Sequence, residues 1–267
     1  MMSLIVAGSL VGLVVLAVLL YGERRRTASL RSQLDAAAED LQHMQLACSK
    51  LAPAGIVQRL VAGDSVASLT VPERKVVTVL FADLIGYTAI SEQLEAGVLA
   101  TMLNGYFQHM SDAIHDNGGH VAKFLGDGIL AHFGALHSNP WQCDDAVRAA
   151  LAMRTAMAEY SAELTRNGLP ALGVGIGIHR GPGLVGLVGS RDRMDYDFVG
   201  RTVNLAARVE ALTRVHHVDI LVTETVREAL DKRFVLEAMP PQIVKGIAEP
   251  VVTYAVRQPQ PSTASAV

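Results

Sequence analysis

Cysteine is nearly missing from this chain of 267 residues, and that absence is the first constraint. Cys48 and Cys143 are the only two, too few for a disulfide framework, which suits a reducing compartment. Aromatic residues make up 5% of the chain, so the core must be built from aliphatic side chains, which the 50% apolar content supplies. A basic excess is also lacking. The net charge is -3 and no long basic run interrupts the globular part, so nothing argues for a nucleic-acid partner. Charge is absent altogether from Leu4 to Tyr21, where Ser9 is the one clearly polar side chain.

That apolar stretch reaches about 27 Å at 1.5 Å per residue, enough for a thin hydrocarbon core. Arg24, Arg25 and Arg26 follow it, and the positive-inside rule would place them in the cytoplasm. Residues 1–22 therefore read as a membrane anchor, which predicts a single-pass protein of the cell membrane with its catalytic part cytoplasmic. A cleaved signal peptide is the rival reading, but there is no basic side chain before Leu4 and no A-x-A after Leu20. From Thr27 a heptad pattern follows. Thr27, Leu34, Leu41 and Cys48 share one register, and Leu30, Ala37, Met44 and Leu51 the other. Those are the seam positions of a two-stranded coiled coil over 23–51, ended by Pro53 and Gly55. A single amphipathic helix lying on its own domain is the alternative. Residues 52–74 read as a linker.

The globular domain spans 75–257. Val76–Phe81 is a β-branched apolar run that predicts a buried strand. A helical pattern runs from Ser91 to Ile114 and is closed by Gly118-Gly119. Val121–Leu125 and Ile129–Phe133 flank Gly126-Asp127-Gly128 and predict a hairpin. A second helix is expected from Asp144 to Thr165, then strands Leu172–Ile178 and Leu184–Val188 turning at Gly181-Pro182-Gly183. The order strand–helix–strand–strand–helix–strand predicts an α+β, ferredoxin-like (βαββαβ) sheet with helices on one face. A helix over Thr202–Leu212 and a βα unit over Asp219–Leu230 extend it, and the polar tail 258–267 reads as disordered.

Several residues sit oddly in this scheme. Asp83 follows the first strand and Asp127 occupies the hairpin tip; either could be an ordinary strand-end or turn aspartate. The topology makes the two elements neighbours, so the carboxylates could together hold hard cations and a polyphosphate. Lys123 interrupts an apolar strand, where an unpartnered ammonium is costly unless the strand is an edge facing water. Asp197 poses a similar puzzle. Asn204 and Arg208, four apart, share one helix face and could serve ribose and phosphate, or simply face solvent.

Together, Val77–Thr88 (VTVLFADLIGYT), Lys123–Gly128 (KFLGDG) and Tyr196–Arg208 (YDFVGRTVNLAAR) resemble the class III nucleotide cyclase family, in the same order and over roughly residues 75–256. The resemblance implies an adenylate cyclase that makes cyclic AMP and pyrophosphate from ATP. It implies that Asp83 and Asp127 bind two divalent cations, Mg²⁺ or Mn²⁺. Lys123 and Asp197 would select adenine, Asn204 would orient the ribose, and Arg208 would stabilise the α-phosphate in the transition state. Family members divide these residues between two subunits, so a homodimer through the catalytic domain is implied; the heptad pattern adds a dimer through the coil, on which a membrane regulatory partner could act.

Some positions fit the family less well. Lys245 resembles a late lysine that contacts the triphosphate, but its spacing is ambiguous. Arg201 stands where Asn or Asp is expected and reads as solvent-facing, and His179 reads as structural. A guanylate cyclase is disfavoured by Lys123 with Asp197, and the G-G-D/E-E-F sequence of diguanylate cyclases is absent. A catalytically silent cyclase-like module remains the non-enzymatic alternative.

Overall fold

A computed structural model describes residues 31, 33, 34, 36–40, 71–190, 194–247 and 249–257. The chain divides into two units, Met1–Val57 and Gln58–Val267. In the first, the described residues are helical and exposed, Leu34 among them. Most of the heptad pattern, the linker up to residue 70 and the tail 258–267 lie outside the described residues.

The expectation of single-pass membrane placement is corrected: among the described residues, no helix is long and apolar enough to cross a membrane. The two longest helices are amphipathic. The first exposes Asn104, Gln108 and Asp112 at intervals of four, and the second carries Asp144, Asp145, Arg148, Arg154, Glu159, Glu163 and Arg166. Leu4–Tyr21, on which the expectation rested, lies outside the described residues.

In the second unit the chain order is β1 (Glu73–Ile85), α1 (Tyr87–Gln93), α2 (Ala96–Asp116), β2 (His120–Leu125), β3 (Gly128–Phe133), α3 (Gln142–Arg166) and β4 (Gly173–Gly189). Then come β5 (Met194–Val199), α4 (Arg201–His216), β6 (Ile220–Thr223), α5 (Glu224–Arg227), β7 (Val235–Ala238) and β8 (Thr253–Arg257). The strands form one sheet in the order β2-β3-β1-β4-β6-β8-β7, with β5 pairing β4. Its first half, β2-β3-β1-β4, is antiparallel throughout and matches the ferredoxin-like expectation. Register places Leu80 opposite Ile178, Ala82 opposite Ile176 and Leu84 opposite Val174. These side chains share one face and form the main core with Met102, Tyr106, Met110 and Met153 from α2 and α3.

Gly181-Pro182-Gly183 is not a turn. β4 runs through it without a break for 17 residues, paired with β1 from Gly173 to Val185. The glycines instead clear space on the face opposite α2 and α3. A Cβ on Gly177 would lie 2.1 Å from the Glu210 nitrogen, and one on Gly175 would lie 2.7 Å from Glu210 Oε1. A Cβ on Gly181 would lie 2.6 Å from Thr202 Oγ1. Because strand side chains alternate, Gly175, Gly177 and Gly181 make a groove along which α4 lies against the sheet backbone. The domain thus carries helices on both faces, not one. A smaller core beneath α4 joins Val209 and Leu212 to Val218, Leu221 and Ala255.

Gly177→Ala tests this arrangement. The new methyl meets backbone rather than a movable side chain, so α4 must shift. Urea unfolding followed by circular dichroism should show a loss of at least about 1–3 kcal/mol, the usual cost of overpacking.

Candidate active site

β1 extends past Phe81 to Ile85, so Asp83 lies within the strand, not after it. Its partner across the sheet is Gly175, which puts Asp83 on the α4 face. At the adjoining hairpin Leu125 pairs with Gly128, leaving Gly126-Asp127 as the two-residue turn. Gly126 takes φ 65°, a left-handed conformation that glycine reaches without strain. Asp83 and Asp127 stand close enough for each carboxylate to feel the other's charge. Burial, and then the Asp127 charge, push the Asp83 carboxyl up to about 6 against the opposing pull of Arg214.

Arg214 of α4 donates from Nη2 to Asp83 Oδ2 at 2.9 Å and from Nη1 to Glu210 Oε1 at 2.6 Å. Glu210 is buried, and desolvation raises its carboxyl to about 7 although Arg214 opposes the shift. The Tyr106 hydroxyl, from α2, is buried with no hydrogen-bond partner. Burial and the nearby carboxylates of Asp83, Asp127 and Glu210 raise its phenol well above the ordinary range.

Lys123 stands on β2, the end strand of the sheet, but it does not simply face water. Its Nζ donates to Asp197 Oδ2 at 2.7 Å, while Asp197 Oδ1 accepts from the Phe198 backbone N–H at 2.9 Å. Both carboxylate oxygens are therefore fixed, and the ammonium with them. Behind this pair lies buried His132, its ring edge-on to Phe198 at 5.6 Å. Burial lowers the His132 imidazole to about 4, with Asp197 pulling the other way.

Asn204 and Arg208 line a cleft of about 430 Å³ with Arg201, His179, Pro182, Thr202, Leu205, Gly246 and Ile247. Arg201 is exposed at this cleft, which it lines. His179 is held by Thr223 Oγ1 at 2.9 Å from Nδ1, so its structural tie and its place in the cleft coexist. Gly246 approaches Arg208, with the ideal Cβ position 3.3 Å from Nη1, while neighbouring Lys245 is exposed. Neither Asp83 nor Asp127 lines this cleft. Arg208 and Arg214 are six residues apart, about 120° around the helix axis, so they leave α4 on different sides. One chain therefore holds three clusters: the aspartates with Arg214, the Lys123–Asp197 pair, and the Asn204–Arg208 cleft.

Residues 69–258 match the model of the adenylate and guanylate cyclase catalytic domain. The chain belongs to this family, the class III nucleotide cyclases. It is 37% identical to an adenylate cyclase of Anabaena cylindrica over 187 residues, 67% of this chain and 36% of that protein. An adenylate cyclase of Rhizobium meliloti is 31% identical over 57% of this chain and 23% of its own length. The chain thus spans well under half of these relatives. Among solved structures, the adenylyl cyclase CyaB from P. aeruginosa superposes with a TM-score of 0.67 at 31% identity, covering 72% of this chain and 98% of that one. The guanylyl cyclase Cya2 superposes with 0.66 at 35% identity, covering 72% and 97%.

Sequence reasoning overlooked Glu210, Arg214 and His132. The first two form an i,i+4 pair that is visible in the sequence, but the contact of Arg214 to Asp83 crosses 131 positions. His132 did carry a signal, since it interrupts the apolar run Ile129–Phe133 much as Lys123 interrupts its own strand.

His132 titrates near 6.5 when unfolded and near 4 when folded, so the unfolded chain binds more protons between those values. Its stabilising contribution is complete above pH 6.5 and is lost as pH falls toward 4. The raised Asp83 and Glu210 carboxyls act in the opposite sense, so the comparison must be with wild type. His132→Gln should lose less stability than wild type between pH 7 and pH 5, by on the order of 1 kcal/mol in urea midpoints. Equal losses would contradict the assignment.

Proposed function

We propose that this cyclase domain is an adenylate cyclase, converting ATP to 3′,5′-cyclic AMP and pyrophosphate at sites completed by two copies of the chain. The observation that carries the substrate reading is the Lys123–Asp197 pair at 2.7 Å. It presents a fixed cationic donor beside a fixed anionic acceptor. Adenine offers the complementary edge, a ring nitrogen that accepts and an exocyclic amine that donates. Guanine offers the reverse, and a guanine N–H facing Lys123 would leave buried polar groups unmatched. Similarity to a guanylyl cyclase makes the guanylate reading the main rival.

Asp83 and Asp127 fit a pair of Mg²⁺ or Mn²⁺ ions. Among the described residues no group of three or more His, Cys, Asp or Glu could hold a metal. Two carboxylates suffice for cations that retain water and take further oxygens from a nucleotide's phosphates. When bound, such ions would supply charge screening of the triphosphate and activation of the 3′-hydroxyl. The chain's own part is positioning. Arg208 offers a planar fork to the α-phosphate where charge develops in the transition state. Asn204, one turn away on the same helix face, orients the ribose. Lys245, exposed beside Gly246, would meet the triphosphate.

The division into three clusters supports a shared site. With the aspartates and the Asn204–Arg208 cleft on different sides of α4, a single copy does not surround one nucleotide with both. A second copy, turned about a two-fold axis, would bring the aspartates of one against the cleft of the other. The heptad pattern over 23–51 would hold two such domains side by side.

The test is cyclic nucleotide formation by the purified chain with ATP or GTP and Mn²⁺, with Asp83→Ala as the blank. Cyclic AMP from ATP is expected, absent in the blank, and Arg208→Ala should lower kcat by about 10²–10³-fold. Cyclic GMP as the main product would replace the substrate reading. No product from either nucleotide would favour a silent regulatory module.

A further inference from the structure

Arg214 belongs to none of the roles assigned so far, yet it donates a hydrogen bond to Asp83. Its guanidinium is held at three points: Glu210 Oε1 at 2.6 Å, Asp83 Oδ2 at 2.9 Å and the Leu84 carbonyl at 3.3 Å. Glu210, the anchor, is buried with its side chain 5% exposed. A group tied in this way is not a loose counter-ion that leaves when another cation arrives. It engages Oδ2 of Asp83 from the α4 side. Oδ1 then faces the hairpin, 3.4 Å from the ideal Cβ position of Gly128, the residue that follows Asp127.

We infer that Arg214, braced by Glu210, is a positioning residue that fixes the Asp83 carboxylate with Oδ1 turned toward Asp127 for a divalent cation. The inference rests on the reading of Asp83 and Asp127 as the cation site. A carboxylate on a flexible Cα–Cβ–Cγ stem spends affinity on being oriented, and a fixed donor on one oxygen removes that cost. Glu210 holds the other end of the guanidinium, so Arg214 is kept against Asp83 from the α4 side. Both residues lie on α4, whose close approach to β4 is what puts Arg214 within reach.

The experiment is Mn²⁺ binding to the full chain, followed by the electron paramagnetic resonance signal of free Mn²⁺, with thermal unfolding measured alongside. Arg214→Gln should weaken Mn²⁺ binding by about 10–100-fold, as losses of outer partners of metal ligands do. Arg214→Lys, which keeps a donor for Asp83 but cannot span to Glu210 as well, should fall between the two. Unchanged or tighter binding by Arg214→Gln, even with lowered Tm, would leave Arg214 a purely structural tie and overturn the inference. Should Arg214→Gln fail to fold, Glu210→Gln takes its place, with weakened binding expected and unchanged binding overturning. Asp83→Asn separates the two levels: its loss of Mn²⁺ binding beside an unaffected Arg214→Gln sinks the brace alone. Wild-type binding by Asp83→Asn sinks the cation site and the brace together.

Discussion

The close approach of α4 to the bare backbone of β4 is the constraint on which the rest of this domain depends. With no side chains at 175, 177 and 181, the helix lies where an ordinary strand would place a layer of aliphatic groups. That brings Asn204 and Arg208 to the cleft and sets Glu210 and Arg214 against the end of β1, where Asp83 stands. Glycine in a strand normally weakens it. Here the loss is offset by pairing with β1 over the strand's first 13 residues and by the aliphatic face that β4 turns toward α2 and α3.

The polar groups that this geometry collects are arranged for charge. Asp83 and Asp127 repel one another, and Asp83 titrates higher than an isolated aspartate as a consequence of burial and that repulsion. Such a pair favours a cation, and a guanidinium from α4 already leans on one of its oxygens. Lys123 and Asp197 face the opposite problem and solve it by pairing, with a backbone N–H completing the carboxylate. In the proposed reading, that fixed donor beside a fixed acceptor would accept one purine edge and reject its reverse.

Much of this was legible in the sequence. The strand–helix–strand–strand–helix–strand order, the hairpin at Gly126-Asp127 and the helix bearing Asn204 and Arg208 follow from periodicity and turn residues. Gly181-Pro182-Gly183 misled because Gly and Pro signal turns locally, whereas here they serve close packing between elements far apart in sequence. The alternation Gly173-Val174-Gly175-Ile176-Gly177-Ile178 could have corrected it, since a period of two with glycine on one side indicates a strand that something covers closely. Arg214 and Glu210 could not be tied to Asp83 from sequence, because nothing in one chain's pattern reports a contact between β1 and the last turns of α4. The membrane expectation drew on Leu4–Tyr21 and the arginines that follow it, and the described helices give it no support.

The claim that two copies complete each other's sites is tested most directly by mixing two inactive variants. Asp83→Ala retains the Asn204–Arg208 cleft, and Arg208→Ala retains the aspartates. Each should be inactive alone as a homodimer. After the two are mixed under conditions that exchange subunits, heterodimers contain one site with every residue intact. Cyclic AMP formation should then return to roughly a quarter of the wild-type rate, since random pairing makes half the dimers mixed and each of these holds one of two sites. A mixture as silent as its components, with subunit exchange verified by differently tagged chains, would contradict the shared site and return all six residues to a single copy.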